Sequence, residues 1–456
     1  MSTTEPDVAI IETSSLGDRS YLISHDGVAV VIDPQRDIDR VLALVQEKHA
    51  AITQVLETHI HNDYVTGGLE LARATGAQYV VPDGDPVEYE RRAVVDGDVI
   101  DMGAVAFQVM HTPGHTHYHV SYILRHRGEP IAIFTGGSML YGSTGRTDLL
   151  GSEHTDELTH AQFHSVRRIA DELPAAVKVY PTHGFGSFCS ATPTSGVSST
   201  IGEQQQSNPA LTHDEQTYVE ELIAGLSTYP AYYAHMGVIN AEGPAPIDLS
   251  TPEPVEPEEL RRRIDTGQWV VDLRARTAFA AGHLDGSLGF ELSATFVTYL
   301  GWLYEWGVPL TLIGETADQI ADATRELARI GIDSPSGSAV GEIHSLVGDG
   351  QARAYDVSDF AGLAAASAEG KVTVLDTRQE SEYADGHIPG AVNIPLHELP
   401  HRLADVPDAA EVWVHCASGY RASIAASLLD REHRTVVLID ENYGQAVELG
   451  LQTAHT

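Results

Sequence analysis

The sequence predicts a multidomain α/β protein. Three observations lead there. Short runs rich in Val, Ile and Tyr recur through the first half, each followed by turn residues. Helical stretches lie between some of these runs. Near the end of the chain, one pattern is written twice. The 456 residues leave room for about three domains at ~150 residues each. An apolar content of 42% is enough to build ordinary cores.

In order, the predicted strands are "VAII", "VAVVIDP", "ITQVLETH", "QYVVP", "VAFQVMHTPGHT", "HVSYIL", "IAIFTGG" and "VKVYPTHG". Helices are expected at "IDRVLALVQEKHA" and at "GGLELARATG", the latter stopping at Gly76. The stretch from Asn208 to Asn240 reads as a helix followed by an aromatic tail. "AEGPAPIDLSTPEPVEPEEL" is rich in Pro and Glu and reads as a linker. The expected segmentation is a first domain over 1–241, a linker over 242–256, and two related domains over 257–347 and 352–456.

The chain carries 65 acidic and 27 basic residues, a net charge of −38, and shows no basic patch. That argues against nucleic-acid binding. No long apolar run suggests a membrane span. "MSTTEPDVAI" has no basic start or apolar stretch of a leader. Cys189 and Cys416 give no disulfide framework. A cytoplasmic protein is the expectation.

The polar residues at strand ends point to chemistry. "DP", "THIHND", "HTPGHT", "TGG" and "THG" each stand just past a predicted strand, where a rigid sheet can project loops onto one rim. His59 and His61 form His-x-His. Asp63 follows, and His115 and His183 lie on later loops. Neutral imidazole is a ligand for Zn, Fe or Cu, and carboxylates add oxygen donors. His59, His61 and His115 are expected to hold one metal ion, with Asp63 and His183 as further ligands or hydrogen-bond supports. His117 and His119 alternate along a strand, where one can face the pocket. Tyr64 can donate to a bound substrate or simply pack beside the site. Cys189 is either a buried free thiol or a thiol near the pocket.

The series "THIHND", "HTPGHT", "FTGG" and "PTHG" resembles the metallo-β-lactamase superfamily, with its αββα sandwich, over roughly residues 7 to 240. "GRTDL" at Gly145–Leu149 strengthens the likeness to its persulfide dioxygenase branch; the glyoxalase II branch is also similar. Two positions depart from the family. Tyr64 replaces the last histidine of "HxHxDH", and Gly137 replaces the aspartate of "FTGD". The resemblance implies Fe(II) held at the positions of His59 and His115 plus that missing carboxylate. Zn(II) in a three-histidine site is the alternative. The losses at Tyr64 and Gly137 argue against a binuclear hydrolase centre. Arg146 can steady an anionic substrate or hold its loop, with Asp148 orienting it.

The repeat pairs "WVVDLRARTAFAAGHLDGSLGF" with "VTVLDTRQESEYADGHIPGAVNI". The second copy continues into "VWVHCASGYRAS". There Cys416 ends a strand, and Ala417, Ser418, Gly419 and Tyr420 lead to Arg421 and a helix. Such a loop can turn backbone N–H groups inward around an anion, and the helix start adds positive potential. Both favour a nucleophilic thiolate. Arg421 can add a charge-assisted hydrogen bond. This loop resembles the rhodanese domain, which carries sulfur as a cysteine persulfide; Asp376 and Arg378 then belong to its framework. Related cysteine phosphatases have a loop one residue longer, so the spacing here favours sulfur transfer. The first copy reads "LIGETA" at the matching strand end and lacks the nucleophile.

The order resembles persulfide dioxygenase–rhodanese fusions. It implies oxidation of a small thiol persulfide at one metal, coupled to sulfur transfer through Cys416, with sulfite or thiosulfate as partners. A homo-oligomer is compatible with it. The alternatives are a zinc-dependent thioester hydrolase, or a metal-poor scaffold, fused to the sulfurtransferase.

Overall fold

The computed structural model describes residues 5–192, 194, 196–348, 350–370 and 372–451. The chain divides into two units: Met1–Asp248 with Glu326–Ile332, and Leu249–Arg325 with Asp333–Thr456.

The first unit is built on two six-stranded sheets. Asp7–Thr13, Asp18–His25, Val28–Ile32, Ala51–Leu56, Gln78–Pro82 and Arg92–Val94 pair in chain order. The other sheet runs Ser199–Thr200, Lys178–Pro181, Glu129–Gly136, Val120–His126, Val105–His111 and Val99–Asp101. Side chains alternate across a strand, so one strand can serve two cores. Val30 and Ile32 pack with Phe107, Tyr122 and Phe134 of the other sheet. Ala29 and Val31 face the helices Asp39–Glu47 and Gly68–Thr75. On the far side, Ile133 and Val179 meet Phe163, Val166 and Ile169 of helix Thr155–Glu172. The result is the αββα sandwich expected from the sequence.

Each predicted strand of this unit has its counterpart, and Gly76 ends its helix in the left-handed conformation at φ 72°. Several elements go beyond the reading, among them the strands Arg92–Val94 and Val99–Asp101 and the long helix Thr155–Glu172. Asp18–His25 is a strand, and the aromatic tail contains the helix Tyr233–Glu242.

The second unit holds two parallel sheets. Leu288–Gly289, Trp269–Asp272, Leu310–Gly314 and Gly337–Val340 form one of four strands. Asp356–Ser358, Val436–Ile439, Val412–His415, Thr373–Asp376 and Val392–Asn393 form one of five. The repeat is repeated in geometry. Arg274 binds Asp272 at 2.6 Å and the Gly282 carbonyl at 2.8 Å; Arg378 binds Asp376 at 2.6 Å and the Gly386 carbonyl at 2.9 Å. His283 stacks on Phe279, as His387 does on Tyr383. The copies are also joined. Asp430 of the second accepts from His283 of the first at 2.9 Å, and Arg276 of the first reaches Asp440 at 2.7 Å.

Among the described residues, no helix is long and apolar enough to cross a membrane.

Candidate metal centre and cysteine loop

Strand Ala51–Leu56 ends at the loop carrying His59, His61 and Asp63, and Lys178–Pro181 ends at His183. His115 follows strand Val105–His111. All five side chains are buried. The loops converge on three imidazoles, His59, His115 and His183, whose candidate ligand atoms lie within 4.8 Å of one another.

Hydrogen bonds to the far nitrogens orient these rings. The Thr58 hydroxyl donates to Asp33, so it accepts from His59 Nδ1 at 2.8 Å. His115 Nδ1 donates to the Arg146 carbonyl at 2.7 Å. His183 Nδ1 faces Asp18 and Asp63, each at 2.9 Å. Each ring thus keeps Nε2 for the centre. His115 Nε2 is buried without a hydrogen-bond partner, and the Nε2 atoms of His59 and His183 stand 3.4 Å apart. A donated Nδ1 proton and an open Nε2 are how ligating histidines are prepared. These donors fit a cation that accepts imidazole nitrogen.

Electrostatics agrees. Burial, reinforced by the neighbouring imidazoles, pulls His59 far below the usual range and His115 to about 3. Both are neutral, the ligand form. Burial also opposes charge on His183, but Asp63 and Asp18 outweigh it and raise His183 to about 10. The carboxylates that draw a proton there favour a metal cation equally, so proton and metal compete for the same lone pair.

His61 belongs to two further groups whose candidate ligand atoms lie within 4.8 Å of one another, one with Asp63 and His183 and one with Asp33 and Glu57. Its ring stacks on Tyr64, with centroids 4.4 Å apart, and its Nε2 lies 3.3 Å from both Asp33 and Glu57. These are ionic contacts rather than aligned hydrogen bonds. Burial disfavours the charged ring, yet Asp33 and Glu57 raise it to about 9. Asp63 stands 2.9 Å from His183 Nδ1 and is itself a candidate ligand beside His61 and His183. Tyr64 is fully buried, and its hydroxyl reaches the Asp33 carbonyl at 3.3 Å. Arg146 forks onto Asp148 at 2.7 and 2.8 Å and caps the Phe188 and Ser227 carbonyls, so it holds loops together. His119 accepts from the Gly137 N–H at 3.0 Å, which occupies its Nε2; His117 packs on His154. Burial and Asp63 push the Cys189 thiol far above its ordinary range, which keeps it protonated.

A Cβ at Gly137 would overlap the His115 ring. Restoring the superfamily's aspartate therefore displaces a ligand instead of adding one. Gly137→Asp is expected to lower metal affinity by about 10–100-fold, read by metal analysis after dialysis.

Sequence reasoning missed Asn240. From helix Tyr233–Glu242 it donates to the His61 and Tyr64 carbonyls, each at 2.8 Å, and accepts from the Thr66 N–H. It clamps the metal loop. Its only signal was an asparagine in an apolar stretch.

In the second unit, Cys416 follows the buried strand Val412–His415 and is itself buried. Gly419, at φ 89°, opens helix Tyr420–Arg431, whose first-turn N–H groups have no intrahelical acceptor. A Cβ there would run into Asp440. Gly419→Ala should cost roughly 1–3 kcal/mol of stability, checked by thermal melting. Tyr420 donates to the Glu291 carbonyl of the first copy at 2.7 Å. Arg421 is engaged: both terminal nitrogens bind Glu382, at 2.6 and 2.8 Å.

With this geometry established, similarity to known proteins places both halves. Residues 19–183 match the metallo-beta-lactamase superfamily, and residues 360–445 match the rhodanese-like domain. The chain joins a metallo-β-lactamase-fold domain to a rhodanese-like domain. It is 28% identical over 242 residues to human persulfide dioxygenase ETHE1, mitochondrial, covering 53% of this chain and 81% of that protein. It is 33% identical over 171 residues to hydroxyacylglutathione hydrolase of Polaromonas sp., covering 36% of this chain and 62% of that enzyme. The crystal structure of a metallo-beta-lactamase from Staphylococcus aureus subsp. aureus COL superposes with a TM-score of 0.67 at 28% identity, over 74% of this chain and all of that one.

Proposed function

We propose that this chain is an enzyme of sulfane-sulfur metabolism with two centres. The first oxidises a small thiol persulfide at a single metal held by His59, His115 and His183. The second transfers sulfane sulfur through Cys416. The observation that carries the reading is the Cys416 loop, a cysteine at a parallel strand end facing a helix start, in the same chain as a three-imidazole centre.

In the first reaction, a persulfide, O2 and water give the thiol and sulfite. Fe(II), held by His59, His115 and His183, would supply the redox chemistry this requires. The protein's own part is to present the imidazole nitrogens of neutral His59 and His115, hold His183 with Asp18 and Asp63, and bury the site. In the second reaction, the Cys416 thiolate attacks the outer sulfur of a donor. The donor's S–S bond breaks, its electron pair leaves with the thiol or sulfite, and Cys416 keeps a persulfide. Sulfite then accepts that sulfur as thiosulfate and returns the thiolate. The helix start and loop N–H groups stabilise the anions.

The test is to supply a small thiol persulfide and sulfite to the full chain and follow thiosulfate. Cys416-dependent thiosulfate is expected; none at all contradicts the reading. One observation favours a second reading of the first unit. One group of converging atoms, His59, His115 and His183, is made of three histidines, a set that suits Zn(II) and a water of lowered pKa. Similarity to hydroxyacylglutathione hydrolase makes a thioester the substrate to try.

A further inference from the structure

Arg421 stands where the cysteine loop needs a cation, yet its charge is already matched. Glu382 grips it through both terminal nitrogens, and the Arg421 side chain is only 11% exposed. A bidentate guanidinium–carboxylate pair is rigid and, a few ångströms away, close to neutral. Glu382 is itself fixed, because its Oε2 also accepts from the Gln379 N–H at 2.8 Å. Burial would raise its pKa, but Arg421 holds it below the usual range, so the carboxylate is charged.

The repeat provides an internal control. The first copy keeps Asp272, Arg274 and the stacked Phe279–His283 pair, and so keeps the framework. At the position of Glu382 it has Ala278, and its strand Leu310–Gly314 runs into Glu315 with no cysteine loop. The framework forms without the carboxylate. Glu382 goes with the cysteine and the arginine.

The cavity beside the loop carries the same sign. Ala417, Glu382, Asp385 and Arg378 line it, and Arg378 is paired with Asp376 at 2.6 Å. A donor approaching Cys416 from this side meets carboxylates and a neutralised arginine. Such surroundings penalise a compact dianion more than a monoanion.

We propose that Glu382, by pairing with Arg421, sets the donor preference of Cys416 toward monoanionic small-thiol persulfides and against the dianion thiosulfate. Glu382 is a positioning residue that acts through Arg421. The inference rests on the sulfurtransferase reading above and specifies its substrate class. The bond changes differ only in the leaving group. From a persulfide, the S–S electron pair leaves on the thiolate; from thiosulfate, it leaves on sulfite.

The experiment compares cysteine persulfide with thiosulfate as donors to the full chain, with cyanide as acceptor, for wild type, Glu382→Gln and Glu382→Asp. Wild type is expected to favour the persulfide by roughly tenfold or more in kcat/KM. Glu382→Gln should raise kcat/KM for thiosulfate roughly five- to tenfold, chiefly through a lower KM, and change the persulfide value by less than about threefold. Glu382→Asp retains the charge and should keep thiosulfate poor. Equal losses on both donors in Glu382→Gln, with recovery in Glu382→Asp, would mean a structural role and overturn the inference. Wild type favouring thiosulfate would overturn it too. If neither donor adds a sulfur atom to Cys416 by mass spectrometry, the sulfurtransferase reading itself falls, and the inference with it.

Discussion

Replacing His183 with alanine is expected to strip the first unit of its metal, with affinity falling at least about 100-fold and persulfide oxidation falling with it. His115→Ala should do the same. His61→Gln should not. The three positions look alike as motif histidines but differ in what their nitrogens face. His183 and His115 each hold Nδ1 on an oxygen and turn Nε2 to the centre, whereas His61 lies between Asp33 and Glu57. Removing the His61 cation leaves two buried carboxylates without their partner, which typically costs about 3–5 kcal/mol. Its effect should therefore appear in thermal stability, with metal content retained. Metal analysis beside thermal melting on the three variants checks this. Loss of metal in His61→Gln with retention in His183→Ala would reverse the assignment.

Cys416→Ser is expected to reduce sulfur transfer by roughly 10³-fold or more, because a hydroxyl at this position is neither ionised nor a sulfur acceptor. The substitution is nearly isosteric in a buried site, so the fold should persist. The metal ligands come from other loops, and O2 uptake on persulfide should continue in the variant with sulfite accumulating in place of thiosulfate. Measuring both products in one reaction checks this. Undiminished thiosulfate formation would remove Cys416 from the chemistry.

The sandwich was legible because its strands are β-branched runs closed by turn residues, as in Val28–Ile32. Asp18–His25 was not, since it opens with Asp18, Arg19 and Ser20, which read as a turn. Those residues are buried because the site uses them: Asp18 supports His183, and Ser20 donates to the Asp33 carbonyl at 2.7 Å. Helix Tyr233–Glu242 was hidden because Gly237, Val238, Ile239 and Asn240 within it are weak helix formers. At the centre, the motif identified the histidines but could not divide their roles. Spacing places His59 and His61 side by side. What separates them is Glu57 and Asp33 on one side and Thr58 on the other, partners recognisable only once the loops meet. Likewise, Arg421 read as a free anion binder because Glu382 lies 39 residues away in the chain.

The most direct test of the two-centre account is metal content of the purified chain, together with O2 uptake on a small thiol persulfide. The account predicts about one iron per chain and O2 uptake that is lost in His59→Ala, with sulfite as product. Zinc or no metal, with no O2 uptake and with thioester hydrolysis in its place, would contradict it.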